Sequence, residues 1–335
     1  MAKILITGAV GFIGFHVAKR LLGAQMHEIV ALDSFNPATP TKLTFVRENL
    51  LINENLIVKK IDLLEVNSAK LFALVGEVDL VVHLAAYPGV RISKEREEFN
   101  FYNNIKSFET VCQFSRLVGA KLIYASSSSV YGDSGLEGSC AESSLHDFKG
   151  KGTYAKSKWE NEIYANNLFA SQELDSIGLR LFSVYGTLGR EDMAYFEFAR
   201  RFIFSEGLEI FDSIEDYRDY TPVCYVVDDI EHLINKVLYI PNYIRKDLAS
   251  IDGNTLINIG SGNPIQLARL IYTYEEIFKK RIEITNLGRN SSESKRTWSD
   301  NSKRNTLLPG RSDTTFEDEI SKFTEWVVPY LTGKI

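Results

Sequence analysis

The chain has 335 residues, 44% of them hydrophobic, enough for a large core and for two domains or one domain with a sizeable lobe. Its net charge of −6, a pI near 5.6 and the lack of a long basic run argue against nucleic acid as a partner. The three cysteines, Cys112, Cys140 and Cys224, form no C-x-x-C pair, which argues against a zinc site and a disulfide framework, and no apolar run approaches a membrane span.

Residues 3–14, KILITGAVGFIG, read as a buried strand, a glycine turn and the start of a helix, with Gly8, Gly11 and Gly14 on a G-x-x-G-x-x-G spacing. In such a turn the first glycine permits a tight bend. The second lets backbone approach a pyrophosphate, and the third lets the helix pack against the strand. The helix N-terminus, at Phe12 and Ile13, then faces the phosphates of a dinucleotide. Phe12, Ile13, Val17, Ala18, Leu21 and Leu22 continue it at a 3.6-residue period. A second apolar run, EIVALD, ends on Asp33, 19 residues past Gly14. A carboxylate there can accept hydrogen bonds from a ribose 2′-hydroxyl, which favours NAD over NADP.

Residues 34–41 hold two prolines and read as a loop, residues 42–53 as a helix and residues 56–61 as a third strand. Asp62 and Leu63 close that strand where an adenine could sit; capping the following segment is the alternative role for Asp62. Residues 78–84, VDLVVHL, are a continuous apolar run and so a central parallel strand, with His83 packed within it. Leu84, Ala85 and Ala86 end it, and the two small residues let a cofactor come close. Residues 99–117 read as a long helix carrying Asn104, which is counted with the cofactor site. Residues 121–125 form the next strand, which runs into Ser126, Ser127, Ser128 and Ser129 and then VYG.

A polar stretch, 133–152, leads into a helix that opens on Tyr154-Ala-Lys-Ser-Lys158 and runs to about residue 173. Strands are expected over 176–181, 223–227, 255–259 and 282–285, and helices within 189–205 and over 228–238, 267–278 and 313–331. Residues 289–305 read as a long polar loop. The alternation of strand and helix predicts an α/β fold with a doubly wound parallel sheet of Rossmann type and a smaller α/β C-terminal substrate lobe.

Ser127, Tyr154 and Lys158 carry the chemistry. A tyrosine near pKa 10 is a poor base at neutral pH, but a lysine ammonium one helical turn away and a positive nicotinamide ring favour its phenolate. The phenolate can take a proton from a sugar hydroxyl as hydride leaves the same carbon, with the serine hydroxyl bridging.

TGAVGFIG, the serine run before VYG, YAKSK, YRDY and RTWSD fall in the order seen in the extended short-chain dehydrogenase/reductases that act on nucleotide sugars, and the resemblance spans nearly the whole chain. Within that family the chain most resembles the UDP-glucuronate 4-epimerases. HLAAYPGVRIS is similar to their HLAAQAGVR, with Tyr87 and Pro88 at the departure, and VYGTLGREDMA to their VYG-x-x-GRPDMA, with Glu191 replacing proline. The resemblance implies that Ser127 is the catalytic Ser/Thr, Tyr154 the base and Lys158 its partner. It assigns Ser128, Ser129 and Ser183 to a hexuronate carboxylate, Arg190 to the substrate lobe, Arg218 to the diphosphate and Asp300 to the nucleotide ribose. Arg91 is expected to line the sugar pocket, and the Tyr87-Pro88 change to lie near it. Members that dehydrate or decarboxylate place a carboxylate shortly after the catalytic Ser/Thr, where this chain has Ser128 and Ser129.

The resemblance thus implies NAD as cofactor, no metal and a UDP-sugar as substrate, with 4-epimerisation of UDP-glucuronate for surface polysaccharide precursors as the leading activity. Another epimerase or a dehydratase on a nucleotide sugar is the alternative. Residues 1–181 and about 221–259 are expected to form the NAD-binding domain, and about 182–220 with 260–335 the nucleotide-sugar lobe. A cytoplasmic protein without a membrane partner, and a homodimer formed through the helices over 99–117 and 154–173, complete the expectation.

Overall fold

The hydrophobic pattern of the strands dictates a sheet covered on both faces. In β1 (Ala2–Thr7), Ile4 and Ile6 point into one core layer and Leu5 into the other. Leu80 and Val82 oppose Val81 in β4 (Leu80–His83), and Ile123 opposes Leu122 and Tyr124 in β5 (Lys121–Ser127). Side chains alternate across a strand, so an unbroken apolar run is stable only between two layers of helix. The computed structural model describes residues 1–35, 41–54, 56–88, 94–144, 147–211, 213–288 and 294–334.

With β2 (His27–Asp33), β3 (Val58–Lys60), β6 (Ser176–Leu181) and β11 (Leu256–Ile259), these strands form a seven-stranded sheet in the order β11-β6-β5-β4-β1-β2-β3. Every pairing in it is parallel. The chain winds one way from β1 to β2 and β3 and the other way from β4 onward, so β1 and β4 flank the switch point where ligands bind in open α/β sheets. The doubly wound α/β class is as expected. Helices α1 (Phe12–Ala24), α2 (Thr41–Asn53), α3 (Ser68–Val75), α4 (Lys94–Val118) and α5 (Gly152–Ala170) cover the sheet, and α4 lies along α5.

Past β6 the chain makes β7 (Ser183–Tyr185), α6 (Ala194–Phe204), β8 (Leu208–Ile210), β9 (Tyr217–Arg218) and β10 (Tyr220–Pro222). It then forms α7 (Val223–Tyr239), which packs on α1, and returns through β11 to the main sheet. After β12 (Ile265–Gln266) and α8 (Leu267–Phe278) come β13 (Ile284–Asn286), α9 (Ser302–Leu307) and α10 (Phe316–Leu331). Rings of Phe196, Phe202, Tyr274, Phe323, Trp326 and Tyr330 pack α6, α8 and α10 together. A Thr315–Asp318 capping box starts α10.

Two expectations are corrected. Residues 223–227 are helix, not strand. Val223, Val226, Val227, Ile230, Leu233, Ile234 and Val237 are buried at a helical period, which outweighs the strand propensity of three valines. The strand lies just upstream as β10, paired with β7. The polar stretch 289–305 is not one loop in its described part. Arg296 bridges Tyr217, Ser299 bridges Cys140, and α9 begins at Ser302.

Candidate active site

The glycine turn after β1 is a cradle with no room for side chains. Gly8 has φ +69°, a conformation that favours glycine, and a Cβ on it would lie 2.7 Å from the Ala85 nitrogen. A Cβ on Gly14 would collide with the Gly8 carbonyl oxygen. The Gly11 N–H donates to that same oxygen at 2.9 Å and sets Phe12 and Ile13 as the first residues of α1. The small residues after β4 border the same space. The Leu84 N–H donates to the Thr7 carbonyl, and the Ala85 N–H approaches Thr7 Oγ1 at 3.4 Å. Asp33, at the end of β2, accepts from the Val10 N–H at 3.1 Å and the Phe35 N–H at 3.0 Å. Burial pushes its carboxyl up, and those backbone N–H groups pull it down. This cradle, with an acid at its rim, fits a dinucleotide carrying a free ribose hydroxyl.

Asp62 turns back on its own backbone, accepting from the Leu64 N–H at 2.9 Å. It does not cap α3, whose N-cap is Asn67, and Leu63 is buried in the core beside it. Asn104 donates to the Tyr87 carbonyl and to Ser157 Oγ, and accepts from the Tyr87 N–H at 2.8 Å. It thus holds the exit from β4 against α5. Asp62, Ser34 and Asp33 lie around the Tyr87 hydroxyl, so this side chain borders the acid rim of the cradle. Arg91 lies outside the described residues.

The strand end of β5 and the first turns of α5 bring Ser127, Tyr154 and Lys158 together. Ser127 Oγ accepts from the Ser129 hydroxyl at 2.9 Å and the Ser129 N–H at 3.2 Å. Ser129 therefore orients Ser127, and Ser128 opens the short helical turn that ends at Tyr131. Burial raises the Tyr154 hydroxyl above its ordinary range, while the Arg190 charge and a hydrogen bond with Ser127 draw it down. Lys158 Nζ lies 5.8 Å from the Tyr154 ring centroid and donates to the Ala125 carbonyl at 2.8 Å. Burial holds the ammonium down at about 8, against the pull of Glu162. Lys158 thus lies on the same helix face as Tyr154, and the Arg190 charge adds to it.

The other described residues assigned to the substrate lie on β7, in the loop that follows it, on β9 and just before α9. Ser183 opens β7, its N–H bonded to the Asp219 carbonyl at 3.1 Å. Arg190 reaches Tyr154 electrostatically and pairs with Asp192 through two bonds. Arg218 donates to the carbonyls of Tyr217 and Lys295, both at 3.1 Å. The Asp300 carboxylate accepts from the Ser302 N–H at 2.8 Å at the start of α9. His83 is packed, as expected, with Nδ1 2.8 Å from Thr7 Oγ1, and burial pushes it down to about 3. Among the described residues no group of three His, Cys, Asp or Glu side chains could hold a metal ion, and no helix is long and apolar enough to cross a membrane.

Three residues that support the site escaped the sequence reading. Glu162 takes a two-pronged hydrogen bond from Arg180, at 2.9 and 2.8 Å, and one from Ser126 Oγ at 2.5 Å. Its signal was the continuation of Y-x-x-x-K by a third residue four positions on. Asp219 is fully buried and accepts from Ser261, Gly262 and Ser299 N–H groups, so it ties the YRDY segment to RTWSD. Arg47, buried in α2, had no local signal at all.

A tyrosine and a lysine one helical turn apart, facing a serine at the edge of a dinucleotide fold, are the mark of the short-chain dehydrogenase/reductase class, and this chain is of that class. It belongs to the NAD dependent epimerase/dehydratase family, whose family model matches residues 4–239. Protein CapI of Staphylococcus aureus is 30% identical over 98% of this chain and 99% of its own length. The UDP-glucuronate 4-epimerase of Thermodesulfobacterium geofontis is 29% identical over 97% of this chain and 96% of its own length. A crystal structure of the UDP-glucuronic acid 4-epimerase from Bacillus cereus, in complex with UDP-glucuronic acid and NAD, has a TM-score of 0.85 at 27% identity, covering 98% of this chain and 99% of that one.

Proposed function

We propose that the protein is an NAD-dependent 4-epimerase of a UDP-hexuronate, interconverting UDP-glucuronate and UDP-galacturonate. The observation that carries the reading is the placement of Tyr154 and Lys158 on one face of α5, with Lys158 bonded to the Ala125 carbonyl of β5, the strand that ends in Ser127. Similarity over the whole length to two UDP-glucuronate 4-epimerases supports the substrate.

NAD, when bound, supplies the hydride acceptor and donor. Gly8, Gly11, Phe12, Ile13 and Gly14 would hold its diphosphate, Asp33 its adenosine ribose, Asp62 and Leu63 its adenine, and Leu84, Ala85, Ala86, Tyr154 and Lys158 its nicotinamide end. Tyr154 Oη takes the proton of the sugar 4-hydroxyl as carbon 4 is oxidised to a ketone, and returns it once the sugar presents its other face. Ser127 hydrogen-bonds the same oxygen, and Ser129 keeps it oriented. Lys158 and Arg190 place positive charge beside the developing phenolate. Ser128, Ser129 and Ser183 offer hydroxyls to the hexuronate carboxylate, Arg190 and Arg218 face the charged parts of the substrate, and Asp300 faces the nucleotide ribose. The segments 182–220 and 260–335 form the lobe that binds the nucleotide sugar, against a cofactor domain of 1–181 with 221–259.

This role puts the enzyme in the cytoplasm, supplying precursors for surface polysaccharide. Exposed Phe99, Tyr102 and Ile163 on α4 and α5 support a homodimer, which light scattering tests. The test of function is incubation with UDP-glucuronate and NAD, followed by proton NMR of the sugar. UDP-galacturonate at constant total uronate is the expected product. An unchanged sugar refutes the substrate, and loss of water or carbon dioxide refutes the epimerase reading.

A further inference from the structure

Three successive backbone carbonyls before Arg190 are each held by a side chain of the cofactor half, one of them the buried Arg47. His16 Nε2, on α1, bonds the Thr187 carbonyl at 2.9 Å. Arg47, on α2, donates from Nε and Nη2 to the Leu188 carbonyl at 3.0 and 2.6 Å, and from Nη2 to the Gly189 carbonyl at 2.9 Å. Its remaining nitrogen, Nη1, donates to the Val10 carbonyl in the glycine turn at 3.2 Å. One guanidinium thus joins the dinucleotide turn to the loop that ends in Arg190.

We propose that Arg47 is a positioning residue that locks the 187–189 loop to the glycine turn and thereby fixes the placement of Arg190. The proposal rests on the reading of Tyr154 as the base.

The local geometry calls for such a clamp. Leu188 has φ +54°, a left-handed conformation that a branched side chain adopts only under constraint. Gly189 has no room for a Cβ, which would run into the Tyr195 hydroxyl, so the loop cannot relax by shifting that way. Arg47 is 1% exposed, and among the described residues its four hydrogen bonds all go to carbonyls. Burial lowers its guanidinium to about 10, with Tyr195, Tyr330, Asp33 and Glu191 acting in the opposite direction. An apolar side chain would fill the same space without desolvating a charge, but it would leave the Leu188 and Gly189 carbonyls unpaired. A lysine is a point donor and cannot span three carbonyls in two segments. The fork of an arginine is what the geometry requires, and its output is the placement of the next residue, whose charge acts on Tyr154.

A double-mutant cycle separates positioning from mere stabilisation. Arg47→Gln is made in the wild-type and Arg190→Gln backgrounds as holoenzymes. Each is read by turnover and by the ultraviolet tyrosinate titration of Tyr154, taken as the difference from Tyr154→Phe. In the wild-type background, Arg47→Gln is expected to lower kcat about ten- to hundredfold and to move the Tyr154 midpoint up, as misplacement of a catalytic group does. In the Arg190→Gln background it is expected to change kcat by less than about twofold, because the group it positions is gone. Equal losses in both backgrounds, or a folded Arg47→Gln with an unmoved midpoint, would overturn the proposal. Should Arg47→Gln not fold, Arg47→Lys takes its place, with a smaller loss in the same pattern. The tyrosinate titration needs no sugar, so a wrong substrate leaves it readable. A Tyr154→Phe enzyme that titrates like wild type would overturn the base and the clamp together.

Discussion

Glu162→Gln is the most informative perturbation of the support beneath the site. The Glu162 and Arg180 side chains are 4% and 1% exposed, and the carboxylate is the only charge bonded to that guanidinium among the described residues. Against a burial that would lower it, Glu162 holds Arg180 well above the ordinary guanidinium range. Glutamine keeps the shape but turns an N–H₂ toward one arginine nitrogen, and it removes the charge. Two charge-assisted bonds weaken, each worth about 1.5–3 kcal/mol, and loss of one partner of a buried pair costs about 3–5 kcal/mol. Arg180 keeps the Tyr131 hydroxyl at 2.8 Å and the Glu142 carbonyl at 3.3 Å, so the low end, about 3 kcal/mol, is expected. Urea unfolding at pH 7 measures it. The double variant Glu162→Met with Arg180→Met removes both charges and is expected to recover most of the loss. A single variant that loses less than about 1 kcal/mol would refute the view that this pair braces the site. Glu162 also supports the Lys158 ammonium, so the same variant should lower the Lys158 midpoint further below 8.

Three further outcomes follow from the geometry. Lys158→Met should abolish turnover yet stabilise the fold: the folded lysine titrates at about 8 against 10.5 unfolded, so the unfolded chain holds more protons in that window, and the variant's advantage of roughly 3 kcal/mol should shrink as pH rises through it, checked by urea unfolding across pH. Gly14→Ala should cost NAD binding and about 2 kcal/mol of stability, because its Cβ meets backbone that cannot move aside; calorimetric titration with NAD checks it, and unchanged affinity would contradict the cradle. Asp219→Asn should lower stability by about 2–3 kcal/mol and raise KM more than kcat, since it unties the β9–β10 segment from the 261–262 turn and from Ser299; thermal unfolding and steady-state kinetics test both parts.

The parts legible in the chain were those whose physics is local. A glycine turn between strand and helix, an acid at the end of the next strand, and a tyrosine and lysine four residues apart each declare themselves, because backbone sterics and helix periodicity act over a few residues. Apolar runs at strand period gave the parallel sheet and its covered faces. The 223–227 segment shows the limit: three valines point to strand, and only the seven-position buried stripe on α7, lying against α1, makes it helix.

Tertiary structure alone decided which charges meet. Arg190 and Tyr154 are 36 residues apart, Arg47 and Leu188 are separated by 141, and Asp219 and Ser299 by 80. No local pattern encodes those meetings, because they depend on where β6, β7 and the last 40 residues return to the sheet edge. The sequence by itself determined the glycine cradle and the shared helix face of Tyr154 and Lys158. The fold determined their electrostatics, bringing Asp62 and Asp33 to Tyr87 and the Arg190 charge to Tyr154, since burial and the company of distant charges set a side chain's proton affinity.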